Sequence, residues 1–364
     1  MKAFFFAFIA VVVLGGAFLS INYGLVHLAG EDMSYREVIA ELKKDGKSLY
    51  GSAFNNDYIS YKKLVYEDIK PEILVLGSSK VLYFTQSYFT KRMANCGLAA
   101  NNVYTTRQFL RMVESKQPRP KMILLSVDHW WFMEDIDKIQ DTVSSSSGDE
   151  ITYQKLFSPI HYYSQDKINL KRLYNSWRER SAATSYGMQR IGFRAIMQDG
   201  GFFRDGSSRY GRQMEQPPDE ISHFDTVGIA KIDAQPSSYL YGDHYNPKAV
   251  SIIFDEVQRI RDMGIPVIVF LTPILPDYYD YLARTGKSHY IWELEQDLTE
   301  RYNVHSYVNP HRLGLTNSDF IDMIHVRPVG AAKMLESLAK AEPAVREIVD
   351  EKGIEKTIAD NRMR

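Results

Sequence analysis

The chain has 364 residues, 45% of them hydrophobic, enough to bury one large core or two ordinary ones. Its 44 basic and 45 acidic residues leave a net charge of −1, which gives no support to nucleic-acid binding, since that requires a basic surface for counterion release. A single cysteine, Cys96, excludes an intramolecular disulfide and any CxxC zinc or redox centre, and reads as a small buried apolar residue.

Residues 3–21 read AFFFAFIAVVVLGGAFLSI, with Lys2 before them and no Asp, Glu, Lys or Arg until Glu31. A helix rising about 1.5 Å per residue crosses a hydrocarbon core of about 30 Å in roughly 20 residues. Residues 1–30 are therefore expected to be a transmembrane signal anchor. The run exceeds the roughly 7–15 apolar residues of a signal-peptide core and no small-x-small cleavage site follows; a cleaved signal peptide is the competing reading. With Lys2 and the terminal amine on the cytoplasmic side, the rest of the chain lies outside the cytoplasm.

Residues 31–70 are polar and mixed and read as a stalk, a helix followed by a loop. A short apolar run at 73–76 (ILVL), closed by Gly77, has the form of a buried parallel strand. Runs at 122–127 (MILLSV), 265–271 (IPVIVFL) and, more weakly, 304–308 repeat that form, with helical patterns at 249–262 and 290–301. The alternation predicts a three-layer α/β/α sandwich with a parallel, flavodoxin-like sheet over residues 71–345. The long polar stretch 133–243, with a serine run at 144–147 and a Gly-rich end at 200–211, reads as an inserted cap over the carboxyl edge of the sheet, where ligands gather in open α/β folds. Residues 346–364 are a charged tail.

Two short motifs carry chemistry. In Leu76-Gly77-Ser78-Ser79-Lys80 a strand runs into a turn that opens a helix. A serine there is either a plain cap or a nucleophile beside unpaired N–H groups. In Asp322-Met323-Ile324-His325 an Asp three residues before a His can orient the imidazole, which then serves as general base toward a distant serine.

A serine just after the first strand and a DxxH just before the last helix together resemble the SGNH/GDSL hydrolases. The resemblance covers roughly residues 70–132 and 244–340. It implies an SGNH hydrolase fold with Ser79, Asp322 and His325 as a triad. Asn95-Cys96-Gly97-Leu98 falls where that family has its second block, which implies the N–H groups of Gly97 and Ser79 as oxyanion donors. The chain departs from the pattern twice: it reads Gly-Ser-Ser for Gly-Asp-Ser, and Asp128 stands where an asparagine is usual. An ionised Asp128 cannot donate to an oxyanion and is expected to bind a substrate hydroxyl or hold a neighbouring loop.

The departures and the single anchor resemble a narrower group, membrane-anchored SGNH-like proteins that work beside membrane-bound O-acyltransferases on bacterial cell-surface glycans. That likeness implies a single-pass bacterial membrane protein whose extracytoplasmic domain transfers an acyl (acetyl) group to a cell-surface or exported polysaccharide or wall polymer. An esterase or deacetylase with the same triad, and a non-catalytic glycan-binding or scaffold module, are the alternatives. Trp130 and Trp131 are candidates for stacking on sugar, with one of the pair expected in the core, and Arg204, Asp205, Arg209 and Tyr210 line either a polyol site or a structural loop with ordinary salt bridges. Lys80, next to Ser79, is expected to be solvated or to face a phosphate, since adjacent helix positions do not face each other. His129, His244, His305 and His311 lack metal-site spacing, so neither metal nor cofactor is expected.

Overall fold

Residues 1–44, 47–133, 153–181, 189–211 and 244–362 are described by the computed structural model. They fall into two compact units, the first made of Met1–Leu64, Ser144–Arg204 and Ser208–Gln213, the second of Val65–Val143, Asp205–Ser207 and Met214–Arg364. The expected serine run 144–147 and residues 212–243 of the expected cap lie outside the described residues.

The first unit begins with α1 (Lys2–Ala29), a helix long and apolar enough to cross a membrane. Its large side chains are exposed up to Ile21, with Phe18 alone half-buried, and Asn22, Leu25, Val26 and Ala29 are buried. Gly30 ends it in the left-handed conformation (φ 74°), donating its N–H to the carbonyls of His27 and Val26. The polar segment that follows is folded, not a free stalk. In α2 (Tyr35–Leu42) the buried Tyr35, Val38, Ile39 and Leu42 keep helical spacing, and a Ser34–Glu37 capping box starts the helix. Next, β1 (Leu49–Tyr50) pairs in parallel with β5 (Arg190–Ile191) and antiparallel with β6 (Gly201–Phe202), which pairs with β7 (Ser208–Arg209). Helices α5 (Tyr153–Phe157), α6 (Pro159–Ser164), α7 (Leu170–Ser181) and α8 (Phe193–Gln198) complete the unit. Their core joins Leu25 and Ala29 of α1 to Phe54, Ile168, Leu173, Phe193 and Ile196. Gly192, at φ 93°, lies so close to the Gly51 carbonyl that any side chain there would collide with backbone.

Helix α3 (Tyr58–Ile69) carries the chain into the second unit. There β2 (Ile73–Gly77), β3 (Met93–Gly97), β4 (Met122–Val127), β8 (Val267–Leu271) and β9 (His305–Ser306) form a sheet of order β3-β2-β4-β8-β9, parallel throughout. The apolar runs expected as strands are β2, β4 and β8, while the weak run at 304–308 yields only the two residues of β9. β2 and β4 are buried at every residue, as strands covered on both faces must be. Between and after them lie α4 (Val103–Ser115), α9 (Pro247–Asp262), α10 (Pro276–Thr285), α11 (Tyr290–Tyr302), α12 (Pro328–Ala341), α13 (Pro343–Arg346) and α14 (Glu351–Arg362). The chain goes from β2 to β3 on one side and then to β4 on the other, so the strand order reverses at the carboxyl end of β2. That crevice is where open α/β sheets bind ligands.

Candidate active site

Ser79 occupies the crevice. The chain leaves β2 at Gly77, and Ser78 accepts the Lys80 N–H (3.4 Å) to start a 3₁₀ turn, Ser79–Val81. The helix expected after the serine is only this turn, so a long helix dipole does not act on Ser79. The turn is clamped from the neighbouring strand: the fully buried Asn95 donates its amide to the carbonyls of Val81 (2.7 Å) and Phe84 (2.9 Å). A side chain at Gly77 would collide with Ser126 on β4, so the glycine lets the two strands end side by side.

Asp322 and His325 arrive from the far end of the sequence, 246 positions along in the case of the histidine. Their loop is closed at its base by an antiparallel bridge between Phe320 and Val326 and by the Ile321 N–H on the His325 carbonyl (2.8 Å). Arg327 donates Nε to the Phe320 carbonyl (2.9 Å), and Pro328 opens α12 directly behind it. The Met323 carbonyl accepts the Leu275 N–H (2.9 Å), which fastens the loop to the segment after β8.

These elements bring the three side chains into one chain of contacts. Ser79 Oγ lies 2.7 Å from His325 Nε2, and His325 Nδ1 lies 2.6 Å from Asp322 Oδ2. The other carboxylate oxygen, Asp322 Oδ1, accepts the backbone N–H groups of His325 (2.8 Å) and Ile324 (2.9 Å). Burial pushes the Asp322 carboxyl up, but the hydrogen bond and charge of His325 and the two backbone N–H groups outweigh it, so its pKa falls below the usual carboxylate value. An ionised Asp322 at Nδ1 fixes the imidazole proton there and turns the Nε2 lone pair toward Ser79. A half-buried hydroxyl facing a carboxylate-oriented imidazole is the arrangement of an activated nucleophile.

Beneath Ser79 the sequence reading needs correction. Lys80 is 3% exposed, not solvated. Its ammonium sits 3.5 Å from Asp128 Oδ1 and 4.4 Å from the centre of the Trp130 ring. Asp128 is itself 1% exposed and so faces Lys80 in place of a substrate hydroxyl. At that distance the contact is an ion pair, and the Ser78 side chain also favours the Asp128 carboxylate. Burial drives the Lys80 pKa down and the Asp128 pKa up, each partly offset by the charge of the other. Next to them His129 is buried, and burial together with the Lys80 charge holds its pKa well below the ordinary histidine value. The half-buried Trp130 offers one ring face to Lys80, and Trp131 is fully buried, the core member of the pair.

Gly97 ends β3 beside this turn, but its N–H is directed to Asn95 Oδ1 (2.8 Å) and not toward Ser79. The cause is Asn95: with its NH₂ held by two carbonyls, its oxygen is aimed back at the Gly97 amide. Arg204 and Tyr210 belong to the first unit. Asp205 belongs to the second unit, where it accepts the Gln86 N–H (2.7 Å) and the Ser207 hydroxyl (2.6 Å), and Arg209 pairs with Asp199 in the first (3.4 Å). His244, His305 and His311 each face a carboxylate, Glu293, Glu342 and Asp280 in turn. Asn95 and Lys80 are the residues that sequence reasoning missed. An asparagine inside the buried strand MANCG was the available signal for the first, because a buried amide must find partners. No family model, curated protein or solved structure matches the chain.

Proposed function

We propose that this chain is a serine-dependent acyl-transfer enzyme of the SGNH type, held to a bacterial membrane by α1 and working outside the cytoplasm on a cell-surface or exported polysaccharide. The observation that carries the reading is the continuous Ser79–His325–Asp322 contact chain at the strand-order reversal of a parallel sheet. In the proposed reaction His325 Nε2 takes the Ser79 proton as Oγ bonds to the acyl carbonyl carbon. The carbonyl π electrons move to its oxygen, where the Ser79 N–H stabilises them. Collapse breaks the bond to the donor oxygen, which leaves with the proton from His325, and an acyl-serine ester remains. A sugar hydroxyl then gives its proton to His325 and attacks the ester. The resulting tetrahedral centre expels Ser79 Oγ, which recovers that proton. A membrane-bound O-acyltransferase is the fitting donor partner, since it would deliver the acyl group at the surface where α1 holds the enzyme. Water in place of the sugar gives the esterase reaction on the same residues.

The test is fluorophosphonate labelling of the full chain in detergent, with Ser79→Ala beside it. Labelling of the wild type and none of the variant is expected; an unlabelled but folded wild type overturns the proposal. Faster release of the acyl group from an acyl-ester donor when an oligosaccharide acceptor is added then separates transfer from hydrolysis.

A further inference from the structure

Outside α1, the large exposed apolar side chains among the described residues are Tyr153 (75%), Phe157 (38%), Tyr163 (46%), Leu170 (46%) and Tyr174 (52%), all on α5, α6 and α7. Tyr153 and Phe157, four apart, stack at 4.6 Å, and Leu170, Tyr174 and Trp177 continue at four- and three-residue steps along α7. This apolar surface is continuous with the membrane-length helix. Phe157 packs on Phe18 of α1 with ring centres 6.0 Å apart, and the Ile160 N–H at the start of α6 is held by Asn22 Oδ1 (2.8 Å). At the other end Arg180 donates to the carbonyls of His27 (3.2 Å), Leu28 (3.1 Å) and Ala29 (3.1 Å), closing the end of α1. Phe18 lies three residues before the end of the apolar run 3–21, which is about 4.5 Å at the helical rise. A bilayer that covers the run therefore reaches the ring of Phe157. The exposed charges also lean basic: Lys167, Lys171, Arg172 and Arg178 stand against Asp166 and Glu179, a balance of +2 in a chain of net charge −1, while Lys155 is buried.

We propose that α5, α6 and α7 form a collar around the end of α1 that lies in the headgroup region of an anionic phospholipid bilayer. Aromatic rings settle at that depth because one part is apolar and the other wet, and flanking Lys and Arg meet lipid phosphates. The inference rests on α1 spanning the bilayer, and the test separates the two.

The full chain is reconstituted into phosphatidylcholine–phosphatidylglycerol vesicles, with Cys96, which is 0% exposed, left in place. A nitroxide is attached in turn at Phe8→Cys, Tyr153→Cys, Tyr174→Cys and Glu300→Cys. Relaxation by oxygen, which concentrates in lipid, is compared with relaxation by a water-soluble nickel chelate. Positions 153 and 174 are expected to favour oxygen, between position 8 in the span and position 300 in water. Nickel preference at 153 and 174 with oxygen preference at 8 overturns the collar alone; nickel preference at 8 overturns the spanning helix as well. Access by neither reagent at 153 and 174 overturns the collar in favour of a protein partner on that face. Lys171→Glu with Arg178→Glu is expected to shift position 174 toward nickel in these vesicles; no shift overturns the anionic-lipid preference.

Discussion

At the residue scale, the division of labour around Ser79 leads to two measurements. Asp322→Asn keeps an oxygen for the N–H groups of Ile324 and His325 but loses the charge that fixes the imidazole tautomer. The rate of fluorophosphonate labelling should fall by about four orders of magnitude, the scale of losing the triad carboxylate elsewhere, with the fold intact. The same residue has a signature in acid. Its folded pKa is depressed below the ordinary 3.8, so its share of stability is complete above that value and is lost as pH falls through the lower folded one. Denaturation midpoints measured downward through that window should fall more for wild type than for Asp322→Asn. Lys80→Met leaves Asp128 buried without its cation, which costs about 3–5 kcal/mol, whereas Lys80→Met with Asp128→Leu should regain most of it. Calorimetry of the two variants decides whether the pair is held by mutual dependence. The meeting of Ser79, Asp322 and His325 was legible in the sequence because their motifs sit at the ends of recognisable elements. Lys80 was not, because its neighbours Asp128 and Trp130 come from β4's end, and adjacency in the chain to Ser79 gives no information about them.

Elements were legible where burial is uniform and illegible where it is shared. β2, β4 and β8 are continuous apolar runs, and α9 and α11 repeat apolar residues at helical spacing, so all five stand out in the sequence. β3 hid behind the buried Asn95 and the terminal glycine of MANCG, whose polar atom is satisfied by a turn from another part of the chain. The segment read as a stalk hid for a different reason. Its strand β1 is two residues long and gains its place only from β5 and β6, which follow far later. The end of α1 is likewise part of a core. Truncating Leu25, 8% exposed among Phe54, Leu173 and Ile196, should cost about 2–5 kcal/mol. In detergent, Leu25→Ala should make residues 153–181 more open to proteolysis before the second unit is affected; equal sensitivity of both units would contradict this packing. Removal of the whole helix, as signal-peptide cleavage after it would do, takes Leu25 and Ala29 out of the same core.

For the whole molecule, the parallel sheet and the membrane-length helix follow from apolar patterning, but the partition of the chain between two units does not. Composition carries no trace of which polar segment returns to which core, and the first unit takes Met1–Leu64 and then resumes at Ser144. This interleaving dictates an order of maturation for a chain delivered amino end first. Tyr50 cannot pair until Ile191 has emerged, and β4 has no β8 beside it until residue 271. Three strands of the second unit, β2, β3 and β4, are therefore made before the first unit can close, and the second unit closes last, after the loop of Asp322 and His325 has reached Ser79 and Val349 has bridged to Phe89. A chain halted short of residue 190 has neither core complete, so arrest there should yield a product cleared by proteolysis, while arrest just after residue 213 should leave a protected amino-terminal fragment.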